Sequence, residues 1–229
     1  MIASHLPTIE QNVGAVVQKA EETLKEILDE SGTILYSSCA TLTRGKYYFL
    51  GLNPGGEAEG TTSVQISLDG LKNQKENAYL HQSWCGHGDC SACIGRHPLQ
   101  LNYQALFSAL GEDLESVCAS NLIFKRSKGE KDAGGWKMAT DCWPVHMEIL
   151  KIVQPTAVIT FGKLPFEFIH NALQGNALQV EQAGHGKWTW QRSTLKEGEK
   201  LIGLPHLSRY ALRRNTEVVT RMKSYLEVV

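Results

Sequence analysis

The 229-residue sequence has no apolar run near the roughly 18 residues that span a bilayer, which argues against a membrane-spanning helix. Residues 1–10 lack the basic and then apolar order of a secretory signal, so a cytoplasmic protein with no membrane partner is expected. An excess of positive charge is missing too. Twenty-three Lys and Arg stand against 24 Asp and Glu, for a net charge of -1, so any nucleic-acid surface must be local. There is no G-x-x-x-x-G-K-[ST] phosphate loop and no G-x-G-x-x-G turn. Kinase and dehydrogenase readings lose their support, and no nucleotide cofactor is expected. No internal repeat or linker divides the chain. One domain over residues 1–229 is expected, and a monomer.

With 42% hydrophobic residues the chain can bury a sizeable core. Val13, Val16, Val17, Ala20, Leu24, Ile27 and Leu28 recur at helical spacing, which predicts an amphipathic helix over about 9–29. The run 46–52 is apolar and aromatic and stops at Asn53-Pro-Gly-Gly56, as a buried strand entering a tight loop does. From 57 to about 98 the sequence is rich in Gly, His and Cys without sustained periodicity, and reads as an insertion tied down by something other than a core. Beyond it, helices are predicted at about 101–110, 143–153, 164–173 and 211–226, and strands at 116–124, 156–162, 188–192 and 200–204. Strands alternating with helices predict an α/β fold, a three-layer α/β/α sandwich whose central, mainly parallel sheet has about four or five strands. Ligands of such sheets bind at the carboxyl ends of the strands.

Three segments then converge there: Asn53-Pro-Gly-Gly56, Asn121, and Pro205-His-Leu-Ser-Arg209. They offer amides, an imidazole, a hydroxyl and a guanidinium, but no nucleophile triad. An amide beside two glycines can fix a water without acting as a base. Taken alone, Asn53 before Pro and Gly would read as a turn residue; the company it keeps shifts the reading to a site.

These segments carry a family resemblance. Gly51-Leu-Asn-Pro-Gly55 resembles motif A of the uracil-DNA glycosylase superfamily, in the form of its mismatch-specific and single-strand-selective members. Leu204-Pro-His-Leu-Ser-Arg209 resembles motif B, with Leu207 where that motif has its Pro. Ser120-Asn-Leu-Ile123 is similar to the strand whose Asn reads the uracil edge, and Asp141-Cys-Trp-Pro144 through Val158-Ile-Thr-Phe-Gly162 to the helix and strand that follow. The ordered segments span about 46–221.

The resemblance implies a uracil-DNA glycosylase-like fold and a monofunctional DNA glycosylase of base excision repair. It would hydrolyse the N-glycosidic bond of uracil or a related damaged base flipped out of DNA. It makes Asn53 and His206 catalytic, the first holding the attacking water and the second stabilising the departing base. Gly51, Leu52, Pro54, Gly55, Asn121 and Ser208 would line the substrate, Asn121 reading the base edge. Lys125, Arg126, Arg209 and Arg213 would meet phosphates; Lys128, Arg214 and Arg221 complete the basic set. Tyr48, Phe49, Phe161 and Phe166 read as core, whereas Tyr79 and Trp84, in the polar insertion, are the better stacking candidates.

Cys85, Cys90 and Cys93 have C-x4-C-x2-C spacing, which with one remote Cys is an iron–sulfur pattern and also suits zinc. His87 and His97 are close enough in sequence to compete as ligands. Cys142, in Cys-Trp-Pro144, resembles the cluster-binding Cys of the iron–sulfur uracil glycosylases, so Cys85, Cys90, Cys93 and Cys142 are the expected ligands of an iron–sulfur cluster or zinc. Cys39 and Cys118 read as small buried residues. The reading from another class is a non-catalytic nucleic-acid-binding or nucleotide-sensing protein that keeps the fold without the activity.

Overall fold

A computed structural model of the chain describes residues 6–57, 61–85, 90–184 and 186–227. Helix α1 (Ile9–Thr23) opens on a reciprocal cap, in which the Thr8 hydroxyl accepts from the Gln11 N–H and the Gln11 side chain accepts from the Thr8 N–H. It stops six residues short of the expected 29. Leu24 and Ile27 are still buried, but in turns, where Ile27 N–H bonds Leu24 O. Burial alone produced the apolar pattern there, and the backbone had already left the helix.

Strands β1 (Tyr47–Gly51), β2 (Cys118–Asn121) and β3 (Ala157–Phe161) are buried along their whole length. They are followed by β4 (Gln179–Gln182), β5 (Thr189–Thr194) and β6 (Lys200–Leu204). The sheet order is β2-β1-β3-β6-β5-β4: the first four run parallel, and β5 and β4 add antiparallel at one edge. Six strands replace the expected four or five. The extra one, β4, is a largely exposed edge strand of sequence Gln-Val-Glu-Gln, too polar to stand out.

Alternation along the strands builds the two outer layers. Tyr48, Leu50, Cys118, Val158 and Leu201 pack with α1, α5 (Gly135–Val153) and α6 (Lys163–Ala172). Tyr47, Phe49, Ala119, Ile159, Phe161 and Ile202 face α4 (Pro98–Leu110) and α7 (Thr216–Glu227). The result is the α/β/α sandwich. Helix α5 begins eight residues before the expected 143, because between 135 and 142 only Ala139 and Cys142 are buried, too few to mark a period. No helix among the described residues is long and apolar enough to cross a membrane.

The insertion is more ordered than its composition suggests. It contains α2 (Val64–Gly70) and α3 (Ala78–His81), and Val64, Leu68 and Leu71 are buried. Their spacing is helical, but fewer than two turns escape a reading that looks for sustained periodicity.

Candidate functional site

Because β1, β2, β3 and β6 are parallel, their carboxyl ends share one edge of the sheet. In register there, Gly51 lies opposite Asn121. A Cβ at position 51 would collide with Asn121 Oδ1 and stand 2.5 Å from Phe161 Cζ. Glycine is what lets the amide and the ring close over the end of β1. Asn121 is 4% exposed. Phe161 stacks on Phe49, with centroids 5.1 Å apart, and meets the His206 ring edge-on at 5.5 Å. Asn121, Phe161 and His206 are thereby linked around Gly51.

Tyr36, which the sequence did not single out, belongs to this wall. Its hydroxyl bonds Asn121, and its pKa is pushed up to about 12 by burial, against the opposing effects of the Arg126 charge and the Asn121 bond. The ring meets Trp84 edge-on at 6.0 Å.

Asn53 lies two residues past β1 and is half-buried. Its Nδ2 donates to Pro54 O at 2.7 Å, to Ser127 Oγ at 2.9 Å and to Ser127 O at 3.3 Å. Two of these partners are carbonyls, which only accept, so the amide cannot be the other way round. No donor among the described residues bonds Oδ1. The side chain therefore presents a fixed acceptor. The loop is braced from β2's side: Leu122 N–H bonds Gly51 O, Ile123 N–H bonds Leu52 O, Ser127 N–H bonds Pro54 O, and Arg126 Nη1 donates to Gly55 O.

His206 stands exposed just after β6. Its Nδ1 accepts from the Ser208 N–H at 3.4 Å and lies 2.8 Å from Ser208 Oγ. The backbone N–H can only donate, which leaves the ring proton on Nε2. Partial enclosure, and after it the Arg209 charge, lowers the imidazole pKa from its ordinary value, with Glu130 acting the other way. The neutral ring is thus a donor at Nε2. The loop carrying it hangs on Asn102 of α4, 1% exposed, whose Nδ2 donates to Leu207 O at 2.6 Å and Tyr210 O at 3.0 Å and whose Oδ1 accepts the Arg213 N–H at 3.1 Å. Asn102 sat unnoticed beside the apolar stripe of its helix; a polar residue on that stripe was the available signal.

The basic residues divide. Lys125 pairs with Glu30 at 3.2 Å, Lys128 with Glu57 at 2.7 Å, and Arg221 with Glu181 at 3.1 Å. Arg126 holds Gly55 O and Ser31 Oγ, so its place is in the loop's framework. Arg209, Arg213 and Arg214 are exposed near His206 in sequence.

Two expectations change. Tyr79 is core: it is 1% exposed and stacks on Tyr103 with centroids 4.3 Å apart. Trp84 stays half-exposed against Tyr36 and Tyr79. Cys142 is no partner of the other three cysteines. It is fully buried on α5, on the opposite face of the sheet, bonded to the Phe124 backbone, and burial pushes its thiol up to about 12. The sulfurs of Cys85, Cys90 and Cys93 lie within 4.8 Å of one another, a group that can hold a metal ion. His97 caps α4, its Nδ1 accepting from the Leu99 N–H at 3.3 Å. His87 lies outside the described residues.

Chemically, the strand-end side chains Asn53, Asn121, His206 and Ser208 include no carboxylate, and Glu57 in the adjoining loop is paired with Lys128. Such a set can hold a water, read a polar edge and donate to a developing anion. No protein-family model matches the chain, and no curated protein matches it.

Proposed function

We propose that the chain is a DNA glycosylase of the uracil-DNA glycosylase superfamily, hydrolysing the N-glycosidic bond of uracil or a related damaged base. The observation that carries this reading is the juxtaposition of an oriented Asn53 carbonyl with the Gly51–Asn121–Phe161–His206 cluster at the parallel strand ends. A flipped pyrimidine presents a donor and an acceptor on its Watson–Crick edge, and the single amide of Asn121 answers both.

In this mechanism Asn53 Oδ1 accepts a hydrogen bond from water and holds it against the sugar C1′. An amide takes no proton at neutral pH, so the water attacks only once the glycosidic bond has stretched and the sugar is cationic. The electron pair of that bond goes to the base. His206 Nε2–H donates to the base oxygen on which the negative charge gathers; a neutral donor suits an anion that leaves without being fully protonated. The water's proton passes to solvent. Arg209 and Arg213 supply phosphate contacts beside the His206 loop, and the trio Cys85, Cys90 and Cys93 would hold a metal as a structural group.

Labelled oligonucleotides carrying uracil, hypoxanthine or xanthine, treated with alkali after incubation, test the reading. Strand cleavage at one of these bases supports it. DNA binding without any abasic product replaces it with the non-catalytic binding protein.

A further inference from the structure

The thiol trio sits at the closed base of a loop. Ser83 bridges Ile94 across the loop, Gly95 N–H bonds Gln82 O, and the side chains of Gln100 and Gln104 on α4 hold Gln82 O and Gly95 O at 2.8 Å each. Within it Cys90 and Cys93 bring their sulfurs to 2.8 Å, and Cys85 completes a group no wider than 4.8 Å. All three are half-buried, within reach of an ion.

The number and position of the remaining cysteines decide what fits. A cubane or two-iron cluster held by thiolates alone takes four. The chain has six cysteines, and Cys39, Cys118 and Cys142 all belong to the hydrophobic cluster on the other face of the sheet. No fourth thiolate is left on this face. Thiolates on separate irons also stand farther apart than those on one ion, whereas a tetrahedral zinc with bonds of about 2.3 Å sets its sulfurs roughly 3.8 Å apart. That spacing lies inside the 4.8 Å that bounds all three sulfurs here.

We propose that Cys85, Cys90 and Cys93 bind one metal ion of the zinc type, completed by a ligand other than cysteine, and that the ion locks Trp84 into the wall beside Tyr36. Trp84 immediately precedes Cys85. Its ring lies 5.3 Å from Tyr79, 5.8 Å from His97 and 6.0 Å from Tyr36, whose hydroxyl bonds Asn121. Each thiol gives up its proton on binding, so affinity falls as pH falls. The site stands whether or not the chain excises a base.

Full-length protein, analysed for metal and acid-labile sulfide, gives the test. The expected result is about one zinc per chain, no iron or sulfide, and a thiolate-to-metal charge-transfer band after exchange for Co2+. Cys90→Ser and Cys93→Ser should lose at least tenfold in zinc affinity, and Cys142→Ala should lose none. Chelation should change tryptophan emission in the wild type and leave Trp84→Phe unchanged, with far-ultraviolet circular dichroism of the sheet retained. Iron with labile sulfide, a Cys90–Cys93 disulfide in place of metal, or wild-type chain that takes up no zinc would overturn the proposal.

Discussion

At Ser127 a single hydroxyl separates an oriented amide from a loose one. Ser127 Oγ donates to Gly129 O at 2.9 Å and so has its lone pairs free for Asn53 Nδ2. In Ser127→Ala the two carbonyl partners of Nδ2 persist, and the water stays held, less well. Base release should fall about tenfold in single turnover, against about 100-fold for Asn53→Ala. Rapid quench with both variants checks the order; equal rates would remove Ser127 from the site. A second residue reports on stability. His146 on α5 is fully buried, Nε2 donating to Leu122 O at 3.0 Å and Nδ1 accepting from Tyr48 at 2.8 Å, and burial lowers its pKa to about 4. The unfolded chain, with an ordinary imidazole, binds the proton first, so this contribution is complete above about pH 6.5 and drains as pH falls toward 4. Between pH 7 and 5 the loss is about 2 kcal/mol. Urea midpoints at the two pH values should show it, and His146→Gln should flatten the difference. Asn53 and His206 were legible because they stand beside glycine- and proline-marked strand ends, and Asn121 because an apolar strand and the resemblance place it at one. Ser127, Tyr36 and Asn102 were not, since each acts through a partner distant in sequence.

At the scale of elements, the loop between β6 and α7 depends on α4. In Asn102→Ala, Leu207 O and the Arg213 N–H lose their partner, while Tyr210 O keeps the Leu212 N–H. The expected cost is about 2 kcal/mol, at roughly 1 kcal/mol or more for each of the two orphaned groups. Thermal unfolding measures the loss, and hydrogen exchange should place it in residues 205–214 while β1 and β3 keep their protection. Protection lost evenly across the sheet would contradict a local anchor. The strands β1, β3 and β6 were legible nearly to the residue, because continuous apolar runs between Gly, Pro and Asn have no other good use. Helix ends were less so. The end of α1 is hidden because the buried Leu24 and Ile27 keep the helical spacing after the backbone has turned, and the start of α5 because too few of residues 135–142 are buried to leave a period. The edge strand β4 has too little buried surface to write a pattern at all.

For the molecule as a whole, a net charge of -1 leaves no general attraction for a polyanion. Any DNA binding must come from a few positions, and the exposed Arg209, Arg213 and Arg214 at and after the His206 loop form no ion pair among the described residues. Arg213→Ala should weaken binding to any sequence alike and reduce the slope of log affinity against log salt by about 1. Lys128→Ala, whose partner is Glu57, should change the slope little. Fluorescence anisotropy across a salt series reads both. At the centre stands the proposed hydrolysis of a base–sugar bond by a water held on Asn53 and a neutral His206. Its most direct measurement is release of free base from a uracil-containing oligonucleotide in single turnover, by wild type and by His206→Ala. The wild type should release the base, and the variant should do so about 100-fold more slowly, or slower still, with abasic-DNA affinity unchanged. A folded wild type that binds such DNA and frees no base from it or from hypoxanthine or xanthine substrates, or a His206→Ala chain of full activity, would contradict it.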